Sequence, residues 1–381
     1  MNPHELLIVA GEVSGDLHAG NMLGELKTLD PAVTAFGIGG ERLAEHGLDL
    51  VAHTDDLAHM GLVEVVRELP RLRAIMATTV EAAARRRPAA AVLVDSPDFN
   101  LRLAARLAPL GIPVVLYVSP QLWAWRRGRV RTVRRVAREV LCILPFEVDF
   151  YRDHEVPAHY VGHPLVDDLA RDGLLDHRSD PDPERIALLP GSRGMEVRSL
   201  LPGMLDALGR LPTDRIRDAV LVEAPGMGGA IDTVLGSRAR DPRLRRVRGR
   251  ERRRELAASS VAWTASGTAT LESALLNVPM VVGYRLQPVS YALAKMLVRV
   301  PHVALANLIA GERMAPELIQ RDWNPGRLVD VTLELMGEAG DRQRVALGRV
   351  RERLGGPGAS RRAAESVLQT MRDVSRREAS G

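Results

Sequence analysis

Short apolar runs recur along the chain, separated by stretches whose apolar positions fall three and four residues apart. The runs are Leu6–Ala10, Ala91–Asp95, Val114–Tyr117, Val140–Leu144, Ile186–Leu189, Val220–Val222, Val261–Thr264 and Met280–Gly283. They are rich in Val, Ile and Leu, as strands covered on both faces of a parallel sheet are. The intervening pattern predicts helices over 16–29, 71–87, 100–108, 126–138, 196–209 and 268–276. Strand–helix alternation of this kind predicts an α/β chain of doubly wound parallel sheets. The alternation stops at 165–185, an acidic stretch containing Asp-Pro-Asp-Pro, which reads as a linker because proline disfavours helix and removes donors. We therefore expect a Rossmann-like domain over 1–165, a linker over 166–185, a second Rossmann-like domain over 186–325 and C-terminal helices over 326–381. The two domains are expected to face a central cleft, with ligands beyond the carboxyl ends of the strands.

Composition narrows the classes. The chain has 381 residues, 46% apolar and 26% charged, enough for two buried cores without staples. Cys142 is the only cysteine, which excludes an internal disulfide and a cysteine metal cage and fits a reducing compartment. The N-terminal run is too short, and too acidic before it, for a signal peptide. No run approaches the length of a membrane span. GxGxxG, P-loop, HExxH and GxSxG patterns are missing. Aromatic residues make up only 3%, little material for base stacking, and no nucleic-acid partner is expected. The net charge is +4, but residues 126–138 alone carry +7 and residues 341–381 carry +5. The rest of the chain is mildly acidic, so basic patches could face phosphate or an anionic membrane.

Four strand-to-helix turns hold candidate chemistry. In Ala10–Asp16, Gly11 and Gly15 allow close approach, and the helix start would attract an anion or sugar hydroxyls; the plain alternative is a turn capped by Ser14 or Asp16. In Val94–Asn100, Asp95 and Asp98 lie at the sheet edge, where one carboxylate could accept a hydroxyl proton, or Asp98 could simply cap the helix. In Leu189–Glu196, Gly191 and Gly194 expose backbone, Ser192 can donate, and Arg193 can pair with phosphate. In Thr264–Glu272, Ser266, Gly267 and Thr268 sit where a helix dipole favours pyrophosphate, and Glu272 one turn on could bond ribose hydroxyls.

Other residues carry less. Asn307 is a polar residue in an apolar stretch, either a site residue or a buried structural amide. His163 closes the first domain. Trp123 and Trp125 alternate, which predicts one core and one interface residue. Leu62, Val65, Val66, Leu69 and Leu72 form one helical stripe, usually core and otherwise a half-inserted interfacial segment, with Pro70 expected to interrupt a long helix. The arginines of 126–138 have no acid among them. Arg134 and Arg135, with the Leu62–Leu72 stripe, are candidate contacts to an anionic membrane surface.

The strings AGEVSGD (10–16), MGLVEV (60–65), DSPDFN (95–100), YVSPQLWAWR (117–126), LPFE (144–147), VGHPLVD (161–167), LLPGSRGMEV (188–197), SGTATLE (266–272), PMVVGYR (279–285) and ALANLIAG (304–311) occur in order. The chain resembles the lipid-A-disaccharide synthase family, glycosyltransferase family 19. The resemblance implies a GT-B fold with the donor nucleotide on the C-terminal domain. It implies inverting transfer from UDP-2,3-diacylglucosamine to 2,3-diacylglucosamine 1-phosphate (lipid X), at the cytoplasmic face of the inner membrane. By motif, Asp98 is the candidate base with Asp95 nearby, Arg193 offsets charge on departing UDP, and Asn307 helps order the site. Gly267, Thr268, Ala269 and Glu272, with the Gly191–Gly194 turn, hold the nucleotide. Glu12, Ser14, Gly15 and Asp16 line the acceptor side. No cofactor or metal is implied, since an arginine and a helix N-terminus can offset the anion. Related GT-B enzymes, such as a UDP-N-acetylglucosamine 2-epimerase or a peptidoglycan glycosyltransferase, are the alternatives, and a non-catalytic nucleotide-sugar or membrane scaffold is another. The resemblance leaves two outcomes for the C-terminal helices: they return to the first domain, or they are exchanged between the chains of a homodimer.

Overall fold

The computed structural model describes residues 2–58, 65–175, 181–236, 241–287, 291–292, 295 and 300–379. They divide into two compact units, Met1–Asp167 with Gly356–Gly381, and Asp168–Gly355.

The first unit holds a seven-stranded sheet: β1 (Asn2–Ala10), β2 (Thr34–Gly39), β3 (Leu48–His53), β4 (Pro88–Val94), β5 (Val114–Tyr117), β6 (Glu139–Cys142) and β7 (Ala158–Tyr160). Their spatial order is β3-β2-β1-β4-β5-β6-β7, and every pairing is parallel. The central strands are buried on both faces, as their unbroken apolar runs require. The second unit repeats the plan with β8 (Asp182–Leu189), β9 (Asp218–Val222), β10 (Leu244–Val247), β11 (Ser259–Ala265), β12 (Met280–Tyr284) and β13 (Glu317–Ile319). Here the order is β10-β9-β8-β11-β12-β13, again all parallel. Each sheet therefore reverses direction once, between β1 and β4 and between β8 and β11. Ligands of open parallel sheets bind at such switch points, outside the carboxyl ends of the strands.

Three details differ from expectation. The stretch expected as a linker is partly ordered structure: a helix runs Pro164–Arg171 and β8 starts at Asp182. Pro70 does not end its helix, which runs Val65–Arg86 and forgoes the one backbone bond that a proline cannot donate. The 126–138 stretch is a single turn over Arg127–Arg129 followed by a helix over Val130–Val136. Val130, Val133 and Val136 face the core, which turns the arginines outward.

Residues Gly356–Gly381 belong with the first unit. The helix Ala359–Ala379 begins where Asp167 accepts hydrogen bonds from the amides of Gly358, Ala359 and Ser360 at 2.6, 3.0 and 2.9 Å. Three orphan donors of a helix start are thus satisfied by one carboxylate from elsewhere in the chain.

Candidate functional site

All four motif turns flank the two switch points. In the first unit, Gly11–Asp16 follows β1 and Asp95–Asn100 follows β4. In the second, Pro190–Arg193 follows β8 and Ser266–Gly267 follows β11.

In the first unit the helix Pro97–Leu107 starts directly after a tight turn. Asp95 (φ 53°) and Ser96 (φ 41°) are both left-handed, an uncommon state for residues with a Cβ. Ser96 is the cap residue and Pro97 the first helical residue, so the plain reading of Asp98 as the helix cap does not hold. Asp98 is instead turned out to solvent, its carboxylate hydrogen-bonded by Arg129 and by Arg126 at 3.0 Å. Burial opposes its charge, but the Arg129 hydrogen bond and the charges of Arg129, Arg126 and Arg102 outweigh it, holding the carboxyl below its ordinary range. Asp95 is half-buried, and its carboxylate accepts from the Ser96 amide at 2.9 Å.

Sequence reasoning passed over Asn100. It is 1% exposed and donates to the carbonyls of Val94 at 3.0 Å and Asp95 at 2.7 Å, tying the strained turn to the helix. A polar residue that ends the DSPDFN string and sits on a helix's buried face was the available signal.

The first turn departs from its expected roles. The cap residue of Val13–Leu29 is Glu12, with no side-chain cap bond, so neither Ser14 nor Asp16 caps that helix. Asp16 is buried and accepts from the amides of Gly40 (2.7 Å), Arg42 (2.9 Å) and Leu43 (3.2 Å). Its carboxylate is spent on the start of the helix Glu41–Glu45, which removes it as a direct acceptor contact. Glu12 and Ser14 are exposed. Gly11 is sterically required: a Cβ there would lie 2.3 Å from Ser96 Oγ. At Gly15 a Cβ would meet only ordinary contacts, so close approach does not explain that glycine.

In the second unit, Gly191 (φ 122°) needs both its backbone freedom and its missing Cβ, which would lie 2.4 Å from Glu196 Oε2. Glu196 accepts from the amides of Ser192 at 3.0 Å and Arg193 at 3.3 Å. The amides expected to cradle phosphate are therefore occupied by a carboxylate. Arg193 itself is exposed, 3.6 Å from Glu196. Gly194 starts the helix Gly194–Leu208.

Beyond β11, Ser266 donates its hydroxyl to the Val303 carbonyl at 2.6 Å. Gly267 (φ 125°) caps the helix Thr268–Leu275; Thr268 is exposed and Ala269 half-buried. Glu272 is not a free ribose acceptor. Its Oε1 is held at 2.8 Å by Arg253, which also pairs with Asp172 at 2.6 Å and Asp168 at 3.3 Å. Arg253 and the start of the 165–185 stretch were missed because they are distant in sequence from the SGTATLE string. Asn307 is wholly buried with both amide ends used: it donates to Ala315 and Glu317 and accepts from Ala315, each at 2.9 Å. Glu317 also accepts from the Val303 and Ala304 amides, at 3.0 and 2.9 Å. Asn307 thus connects to the Ser266 turn through Glu317 and Val303, as a buried structural amide.

Of the tryptophans, Trp123 is the core member, donating to Glu147 at 3.0 Å, and Trp125 is 39% exposed. His163 is buried and neutral: burial pushes it down to about 3, with the nearby His18 adding to the shift. Leu62 and the side chains of Val65 and Val66 lie outside the described residues. Leu69 is half-buried, and Leu72 packs against the first unit's core, which corrects its expected outward role. The arginine run is also not uncompensated: Arg126 and Arg129 reach Asp98, Arg134 reaches Glu155 at 2.8 Å, and Arg138 reaches Asp373 at 3.7 Å. Arg135 is exposed. Among the described residues no helix is long and apolar enough to cross a membrane.

A model of the lipid-A-disaccharide synthetase family matches residues 6–368. The chain belongs to that family. Among curated relatives, the lipid-A-disaccharide synthase of Anaeromyxobacter dehalogenans (strain 2CP-C) is 48% identical over 377 residues, 97% of this chain and 98% of the relative. That of Myxococcus xanthus (strain DK1622) is 42% identical over 379 residues, again 97% and 98%. The motif resemblance is thus borne out across the whole chain, and the family is one of glycosyltransferases. Solved structures agree on the fold. UDP-GlcNAc 2-epimerase from Neisseria meningitidis, bound to UDP-GlcNAc, superposes with a TM-score of 0.65 at 11% identity, covering 96% of this chain and 100% of that one. Acinetobacter baumannii MurG gives 0.58 at 14% identity, covering 97% and 99%. At such identities these two show the GT-B fold alone; the family decides against the epimerase and scaffold alternatives.

Proposed function

We propose that this member joins UDP-2,3-diacylglucosamine to 2,3-diacylglucosamine 1-phosphate, giving UDP and lipid A disaccharide 1-phosphate. The observation that carries the proposal is the pairing of motif turns with switch points. One unit offers a solvent-facing carboxylate, Asp98, at its switch point. The other offers an exposed arginine, Arg193, and a glycine-capped helix start at Gly267–Thr268. The acceptor 6-hydroxyl gives its proton to Asp98 as its oxygen bonds to the donor's anomeric carbon. The bond from that carbon to the UDP oxygen breaks, and UDP leaves as an anion opposed by Arg193 and the helix dipole. One base and an inverted centre suffice, so no covalent enzyme intermediate is needed. We further propose that transfer requires no metal, since these fixed charges serve the leaving group.

The reading extends to an anionic membrane surface on the cytoplasmic side of the inner membrane. Support comes from exposed apolar Val13 (71%) and Leu17 (37%) in the turn-and-helix after β1, and from exposed Trp125 and Arg135. The test is one assay: both lipid substrates, EDTA, and detection of UDP and disaccharide phosphate. Activity is expected to persist in EDTA, and Asp98→Ala is expected to lose at least about 100-fold in turnover while still binding UDP. Equal turnover of Asp98→Ala and the parent chain would overturn the base, and loss in EDTA restored by magnesium would overturn the metal-free reading. Failure to float with phosphatidylglycerol vesicles would remove the membrane contact, and flotation insensitive to salt would remove its electrostatic part.

A further inference from the structure

Asp98 is the candidate base, yet at rest it is bound by arginines. Arg126 approaches it at 3.0 and 3.3 Å, Arg129 bonds the same Oδ1, and the charge of Arg102, one helical turn on, acts on it as well. Three guanidiniums against one carboxylate leave an excess of two positive charges. A phosphate monoester near neutral pH carries about −1.5 to −2 and three acceptor oxygens, and matches that excess. A phosphodiester carries a single charge and does not. The cluster is also reachable: Arg126, Arg129 and Asp98 side chains are 44%, 32% and 58% exposed.

The arginine side is built independently of Asp98. Arg126 has a left-handed backbone (φ 55°), and its guanidinium lies over the Trp125 ring at 4.3 Å. Val118, the residue after β5, is left-handed too (φ 59°), a real outlier for a β-branched residue. With Asp95 and Ser96, four of the eight such non-glycine residues among the described ones fall in the turns around Asp98. Backbone strain concentrated like this persists where surroundings over-determine it, as binding sites do.

We propose that Arg126 and Arg129 are the seat for the phosphate monoester of the acceptor sugar, and that Asp98 fills that seat until the acceptor arrives. The inference rests on the reading of Asp98 as the base. When the phosphate takes the two guanidiniums, the carboxylate loses the partners that hold it ionised and faces the hydroxyl of the same sugar as a stronger base. Phosphate binding and base unmasking are then one event, and an acceptor without phosphate meets a masked base.

The test uses the full chain in neutral detergent micelles with 2,3-diacylglucosamine 1-phosphate or its dephosphorylated counterpart as acceptor, and glucosamine 1-phosphate as a binding probe. The parent chain is expected to prefer the phosphorylated acceptor. Arg126→Met/Arg129→Met is expected to shrink that preference in kcat/KM at least 10-fold, with Arg126→Lys/Arg129→Lys recovering part of it. Asp98→Asn is expected to bind glucosamine 1-phosphate more tightly than the parent, since it no longer competes for the arginines. Circular dichroism melts that match the parent's certify that each variant is folded. An unchanged preference in the methionine variant, or equal probe binding by Asp98→Asn and the parent, overturns the proposal. So does a defect of the arginine variants seen only with phosphatidylglycerol vesicles, which assigns the arginines to lipid headgroups. Full transfer by Asp98→Asn would instead sink the base reading, and does so without touching the probe-binding result.

Discussion

Glu147 shows how far a single residue's role depends on what folds over it. Nothing within the string LPFE marks its burial, yet it is 1% exposed, accepting from Trp123 Nε1 at 3.0 Å and the Leu144 amide at 3.1 Å. Burial pushes its carboxyl up to about 7 despite those bonds, and raises its neighbours Cys142 and Tyr151 as well. Unfolded, a glutamate titrates near 4.3. Between those values the native state keeps a proton that the unfolded state has lost, so stability must fall as pH rises. The contribution is whole below about pH 4 and gone above about pH 7, worth at most about 4 kcal/mol. Urea midpoints of the parent chain are expected to drop from pH 5 to 7 relative to Glu147→Gln, which lacks the titrating group. Parallel pH profiles of the two proteins would show that Glu147 is ionised throughout. Asp16 teaches the same lesson: its place in a motif was visible, but not that three amides some 24 to 27 residues on would consume its carboxylate.

At the scale of elements, all eight strands expected from apolar runs are present, and the five that were missed share a position. β3, β7, β10 and β13 are sheet edges, and β2 lies beside one. Edge strands bury one side or less, so LDLVAH, AHY and LRRV mix charge and apolar residues and lose the unbroken signal of a buried strand. The four site turns were legible because strand ends, glycines and acids coincide there. Their partners were not, because a turn's occupant comes from another element. Gly11 and Ser96 make the point: a side chain from the turn after β4 fills the space a Cβ at Gly11 would need, 2.3 Å from Oγ and 2.6 Å from Cβ. Gly11→Ala is expected to cost about 1–3 kcal/mol, because neither backbone can yield without moving a central strand. Ser96→Gly removes the obstacle and suits the left-handed backbone there. The double variant is therefore expected to recover most of the loss, a coupling that thermal melts of the four proteins would read. Additive losses would mean the turns do not compete for that space.

For the whole molecule, domain count was readable from the sequence, and the return of the last helix to the first domain was one of the two outcomes the resemblance left open. The second unit is one continuous stretch, Asp168–Gly355, while the first is made of Met1–Asp167 and Gly356–Gly381. The last helix carries no motif, and nothing in its own sequence names its destination. Its binding is specific nonetheless: Ala363, Ala364, Val367 and Met371 are buried, Glu139 accepts from Ser366 and Thr370 at 2.8 and 2.7 Å, and Arg362 donates to the Val161 carbonyl at 2.8 Å. Removing it would leave Glu139, 8% exposed in the intact chain, and an apolar face open to water. Residues 168–355 alone are expected to unfold cooperatively and to bind UDP, since their sheet, core and nucleotide turns are all internal to that stretch. Residues 1–167 alone are expected to aggregate, and to become soluble and cooperative when residues 356–381 are fused after Asp167 through a short Gly/Ser linker. Circular dichroism melts and UDP calorimetry on the three proteins decide it. A soluble, cooperatively folding 1–167 fragment would mean that the final helix decorates the first unit rather than completing it.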